Sequence, residues 1–188
     1  EAVLEQVPLG MTFFTNNARG IELAEEIGRA MACVEQVRFV TSGSEADMYA
    51  IRLARACTGK TRILKFEGGY HGMSPEAQMS LAPEIEVNFP QAIPDSAGIP
   101  DSVIDQTLIA PFNDLEAVAS LLAEHDDIAA IIAEPLQRII APKPGFLEGL
   151  RALCDKYNVL LIFDEIVTGF RLAYGGAQER YGVTPDIC

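Results

Sequence analysis
Apolar residues follow two rhythms along the chain. Nearly unbroken runs at Val37 to Thr41, Arg62 to Phe66, Thr107 to Ala110, Ile128 to Ala133 and Val159 to Phe163 predict strands. Runs this short and continuous belong to a parallel sheet buried on both faces. Between them, apolar positions recur at helical spacing over Ile21 to Cys33, Glu45 to Cys57, a stretch from a cap at Asn113 to His125, and Gly145 to Tyr157. The second helix carries its stripe on Ala46, Ala50, Leu53, Ala54 and Cys57. Strands alternating with helices predict a three-layer α/β/α fold with a mostly parallel sheet. One domain accounts for the pattern, without repeats or low-complexity segments. Pro83, Pro90, Pro94, Gly98 and Pro100 mark a loop-rich stretch. Within it, residues 91–105 fit either a wall of a site or a surface loop.

Polar chemistry collects where these strands end. Val159 to Phe163 runs straight into Asp164-Glu165, and the carboxyl ends of strands are where open α/β sheets hold ligands. An acid there can pair with a cationic ring nitrogen, hold a metal, or simply sit in a solvated turn. Thr41-Ser42-Gly43-Ser44-Glu45-Ala46 opens the second helix, whose first amides form an anion cradle with the Ser42 and Ser44 hydroxyls beside them. The same residues also fit a capping box, Ser42 with Glu45 or Ser44 with Asp47. Glu67-Gly68-Gly69-Tyr70-His71-Gly72 presents Tyr70 for stacking on a flat ring. His71 beside it is a further candidate, although a histidine there is as readily a satisfied or surface group. Glu134-Pro135 ends the Ile128 strand, with Glu134 either a site acid or a polar terminator.

Taken together, these groups share one edge of one sheet and suit a phosphorylated aromatic cofactor. The helix terminus would take the phosphate, Tyr70 would cover the ring, and Asp164 would keep a ring nitrogen protonated. That is the requirement of pyridoxal 5'-phosphate, whose protonated pyridine is an electron sink.

A net charge of −13 argues against nucleic acid or an anionic membrane as partner. Four cysteines without CxxC spacing and two histidines argue against a zinc site. Free thiols fit a reducing, cytoplasmic setting, and no run is apolar enough to span a bilayer. The chain begins without methionine and reads as an excerpt of a longer protein.

Ser42-Gly43-Ser44-Glu45-Ala46, Gly69-Tyr70-His71-Gly72, Glu134-Pro135, Asp164 to Arg171 and Tyr181 to Asp186 occur in the order seen in class III aminotransferases, which the chain resembles over nearly its whole length. Val37 to Val40, Ala50 to Arg55 and Gly176-Ala177-Gln178 resemble the glutamate-1-semialdehyde aminotransferase subgroup. The resemblance implies the central part of the large domain of the aspartate aminotransferase fold, with the Schiff-base lysine region and small domain outside the chain. It implies Gly43, Ser44 and Ser42 at the cofactor phosphate, Tyr70 and Ile166 on the two ring faces, His71 and Glu134 nearby, and Asp164 at the pyridine nitrogen. It further implies a homodimer that moves an amino group between a small-molecule donor and a carbonyl acceptor, or an aminomutase that does so within one substrate.

Two departures qualify the resemblance. Lys60, Lys65, Lys143 and Lys156 all stand in the wrong context for the covalently bound lysine, which the family places shortly after the Thr-Pro-Asp motif. Without that lysine the chain alone should not transaminate. Arg138, Ile139 and Ile140 replace the residues common after Glu-Pro. Two other classes compete. A pyridoxal-phosphate fold that has lost its lysine fits the same motifs. A P-loop nucleotidase is the poorer fit: Gly59-Lys60-Thr61 follows a helix, Ala54 stands where a glycine is needed, and Gly59 reads as a helix C-cap.

Overall fold
The computed structural model describes residues 1–10, 15–85 and 87–188. In chain order the elements are α1 (Ala2–Gln6), α2 (Ala18–Ala30), α3 (Gly43–Thr58), β1 (Arg62–Phe66), α4 (Asp101–Ile104), β2 (Thr107–Ala110), α5 (Leu115–Glu124), β3 (Ile128–Ala133), α6 (Phe146–Tyr157), β4 (Leu160–Phe163) and α7 (Gly176–Tyr181). The four strands form one parallel sheet in the order β2-β1-β3-β4. Side chains alternate across it. Leu64, Phe66, Ile131, Ala133, Leu161 and Phe163 face α5 and α6, whereas Ile63, Ala130, Ile132 and Ile162 face Ile51 and Ala54 of α3. Both faces are therefore covered, as the unbroken apolar runs required.

Local chemistry sets the helix limits. Ser42 caps α3, accepting from the Glu45 amide at 3.3 Å, and Gly59 ends it at φ 70° with its amide on the Arg55 carbonyl. That left-handed position suits glycine and confirms Gly59 as a C-cap. Helix α2 starts three residues earlier than its apolar spacing predicts, because Asn17 Oδ1 accepts from the Gly20 amide. It also stops at Ala30, short of Cys33. Asp114, not Asn113, caps α5, accepting from the Ala117 amide at 3.0 Å. Asn113 instead adopts φ 69° and clamps the 141–143 segment, accepting from the Lys143 amide and donating to the Ala141 carbonyl.

Two expectations fail for tertiary reasons. The strand expected at Val37 to Thr41 is absent, since no described strand runs beside it to complete a ladder. Phe39 there is 52% exposed. On α3 the buried positions are Asp47, Ile51 and Ala54, while Ala46, Leu53 and Cys57 are exposed. The stripe is turned by one residue, which brings an acid into the interior.

Beyond β1 the chain makes a long irregular excursion that packs back on the sheet edge through Met79, Ala92 and Ile109. Lys65 of β1 pins it. Its buried ammonium donates to the carbonyls of Ala77 and Met79, and burial pushes it down to about 8. A lysine in a core strand is thus explained by two backbone acceptors that no other donor among the described residues serves. Lys65→Ala in the full-length protein should cost about 2–4 kcal/mol in urea unfolding, from lost methylene packing and two orphaned carbonyls. An unchanged midpoint would remove this anchoring role.

Candidate functional site
The ladder delivers three acids to one row. Ala133 pairs with Phe163 and Lys65 with Ile132, so Glu67, Glu134 and Asp164 each follow the last residue of adjacent strands. Helix α3 starts at the same edge. Between them lies a cavity of about 440 Å³ lined by Gly43, Ser44, Tyr70, Glu134, Asp164 and Ile166, with Gly72, Leu136, Arg138, Val167 and Thr168 completing the wall. That volume falls within the range of small-molecule sites. Of the residues expected from sequence, Ser42 and His71 stand just outside the lining. Ser42 is occupied as the α3 cap, and His71 lies behind Asp164.

One end of the cavity is a donor cradle. The first helical amides have no carbonyl partner within the helix. Ser42 Oγ serves that of Glu45, which leaves the amides of Gly43 and Ser44 on the cavity wall. Glu45 is spent elsewhere, reaching back to the Thr41 amide and hydroxyl. Those bonds from Thr41 hold its carboxyl below the usual range. Cap and cradle therefore coexist, because they use different amides. Ser44 Oγ accepts from the Met73 amide at 3.1 Å, and Gly72 packs so closely on Ser44 that an added Cβ would lie 2.5 Å from its Cα. The tight approach, with φ 87° at Gly72, requires glycine there.

Across the cavity Asp164 is 7% exposed. Its Oδ2 lies 2.9 Å from His71 Nδ1 and its Oδ1 accepts from the Ile166 amide at 3.1 Å. His71 is 1% exposed and its Nε2 has no partner. Tyr70 and Ile166, at 46% and 58% exposure, are large apolar groups left open on the cavity wall. Glu134 is an organiser: its two oxygens accept from the amides of Tyr70 at 2.7 Å and Arg138 at 3.1 Å. It thereby fixes the loop that carries Tyr70.

Glu165 turns away from the cavity. It accepts from the Thr168 hydroxyl at 2.8 Å and from the amides of Ala177 at 2.6 Å and Gln178 at 3.2 Å, the first turn of α7. An acid at a helix N-terminus is favoured by the helix dipole. Asp186 similarly accepts from the Leu161 amide and from Arg151, which ties the chain after α7 to β4. Sequence reasoning missed Asp47, which lies beside His71 and Asp164. Its only signal was an acid four residues before Ile51 on the buried face of α3.

Amide donors at one end, open apolar groups on the walls and a buried carboxylate opposite match an anionic phosphate, a flat ring and a protonated ring nitrogen. A wider cleft of about 1090 Å³ adjoins it, sharing Arg138, and has neither Asp164 nor the α3 amides on its walls.

Comparison with known proteins points the same way. Glutamate-1-semialdehyde 2,1-aminomutase of Myxococcus xanthus is 46% identical over 191 residues, covering 100% of this chain and 44% of that protein. An omega-transaminase from Sphaerobacter thermophilus superposes with a TM-score of 0.91 at 40% identity, over 98% of this chain and 44% of that one. A transaminase with PLP bound superposes with a TM-score of 0.88 at 31% identity, over 98% and 43%. The chain thus spans less than half the length of these relatives. The model of the family "Aminotransferase class-III" matches residues 1–188. That match leaves no part of the chain unaccounted for, and it belongs to the class III aminotransferases, a family of pyridoxal-phosphate enzymes.

Proposed function
We propose that the full-length protein is a pyridoxal-phosphate transaminase, moving an amino group between an amino acid or amine and a carbonyl acceptor. In this reading the chain is part of the cofactor-binding large domain of a homodimer. The observation that carries it is a buried carboxylate, Asp164, facing the free amides of α3 across one cavity.

The geometry supports the following roles. The Gly43 and Ser44 amides would hold the phosphate, with Ser42 keeping the helix end in register. Tyr70 and Ile166 would flank the ring and exclude water. Asp164 would accept a hydrogen bond from the ring nitrogen and keep a proton there, with His71 fixing the carboxylate's orientation. Glu134 works one step back, through the Tyr70 amide. With that proton held, pyridoxal phosphate supplies an electron sink for the pair left when a substrate carbon loses its proton. Among the described residues no lysine lines the cavity. The reading therefore needs a covalently binding lysine from outside them.

A second reading, glutamate-1-semialdehyde 2,1-aminomutase, is favoured by the name of the Myxococcus xanthus relative. The two separate on a single assay. An aminomutase rearranges the semialdehyde without any external donor, whereas a transaminase needs an added amine and an added carbonyl compound.

Three outcomes test the roles. Asp164→Asn in the full-length protein should stay folded by circular dichroism and lose transamination by about 10²–10³-fold, the scale of removing one preorganised electrostatic group. Normal turnover would sink the ring-nitrogen role. Ser44→Glu should weaken cofactor affinity about tenfold or more by placing a negative charge at the cradle. An unchanged Kd would leave the α3 terminus as a cap only. Among the described residues, Arg138 is the one cation on the walls of both clefts. Arg138→Ala should raise KM about tenfold for carboxylate-bearing substrates with little change in kcat, and equal KM values would remove it from substrate binding.

A further inference from the structure
Asp164 stands between two cavities. In front is the cofactor cavity; behind is a smaller one of about 330 Å³, where Asp47 sits among Ile27, Met31, Ala50 and Ile162. Asp47 is 5% exposed, brings a carboxylate oxygen within 4.8 Å of Asp164, and has one oxygen, Oδ2, that is fully buried without a partner among the described residues. Asp47, Asp164 and His71 bring one polar atom each within 4.8 Å of one another. The titratable groups facing Asp47 are Asp164 from the end of β4, His71 from the loop after β1 and Glu134 from the end of β3, with Glu165 and the Cys188 thiol on the same rear cavity. Counting Asp47, four of these six groups are carboxyls.

Two ionised carboxylates cannot share a hydrogen bond in an apolar pocket, because both desolvation and mutual repulsion oppose the second charge. One of the pair must carry a proton. Asp164 has a donor on each oxygen, His71 Nδ1 and the Ile166 amide, both of which favour its charged form. Asp47 has a bare oxygen and an apolar surround. The proton belongs on Asp47.

We propose that Asp47 is a positioning residue that stays protonated and donates a hydrogen bond to Asp164 from behind. The pair then carries a single negative charge, held jointly by Asp47, His71 and the Ile166 amide and aimed at the cofactor ring nitrogen. The proposal rests on the reading of Asp164 as partner of that nitrogen. Burial, then the charge and hydrogen bond of Asp164, push the Asp47 carboxyl up to about 9. The sign of the resulting pH effect is fixed. An Asp whose folded value is raised binds a proton in the native state that the unfolded chain releases, so its contribution is whole below about pH 4 and is lost as pH rises toward 9.

Full-length protein freed of cofactor gives the first test, comparing the parent with Asp47→Asn, an isostere that can donate to Asp164 but cannot ionise. The Tm advantage of the Asn variant should be absent near pH 4–5, grow by about 5 °C or more toward pH 9, and level off above it. A constant difference across that range would overturn the proposal. So would a stoichiometric divalent cation retained by the parent and lost from the variant. Titration with pyridoxal 5'-phosphate at neutral pH gives the second test. Asp47→Ala should lose affinity about tenfold, and Asp47→Asn should restore it to within about threefold, the difference one charge-assisted hydrogen bond makes. An Asp47→Ala variant that binds like the parent, or an Asp47→Asn variant that fails like Asp47→Ala, would overturn it. Asp164→Asn in the same titration separates the two readings: if its affinity and cofactor absorption are unchanged, the ring-nitrogen role falls, and the stability arm still reports where the Asp47 proton resides.

Discussion
The register of β1, β3 and β4 is the constraint on which the rest of the molecule depends. Leu64, Ile131 and Leu161 lie in one row, and Lys65, Ile132 and Ile162 in the next. Because the side-chain period is two, a slip of one residue would exchange the two faces of the sheet and carry Asp164 out of line with Glu134. The apolar core is what forbids the slip. Phe66, Phe112 and Phe146 lock together edge to face, with centroids 5.0–5.6 Å apart, directly beneath the row of acids. Each such pair contributes about 0.5–1.5 kcal/mol beyond its burial. Packing far from any polar chemistry thus sets where the polar chemistry stands.

Much of this was legible in the sequence, for a physical reason. β1, β2 and β3 match their expected limits to the residue, since strands covered on both faces are mostly apolar, and β1 and β3 end where Glu67 and Glu134 begin the polar edge. β4 begins one residue later than its apolar run. The lining residues Gly43, Ser44, Tyr70, Glu134 and Asp164 were readable because each follows a strand or opens a helix at the same edge, whereas Ile166 came only from the family resemblance. What escaped depends on partners distant in sequence. The Val37 to Thr41 run has the composition of a strand and no described neighbour to pair with. Asp114 displaces Asn113 as cap because Asn113 is engaged with residues 141–143. Asp47 was read only as a capping-box partner for Ser44, because the helix stripe is ambiguous by one residue when alanines fill both flanks.

On the proposed reading, a protein with a net charge of −13 holds an anionic phosphate. The cradle uses neutral backbone dipoles, and the acids nearest to it are spent on other bonds. Glu45 is tied to Thr41, and Glu134 to the amides of Tyr70 and Arg138. No helix of the described residues is long and apolar enough to cross a membrane.

Asp164 and Glu165 are neighbours in sequence that face opposite ways, one to the cavity and one to the first amides of α7. This division has a consequence for tolerance to change. Losing the Glu165 carboxylate would leave the Ala177 and Gln178 amides without it and loosen the turn that carries Asp164, although Glu165 itself lines no part of the cavity in front.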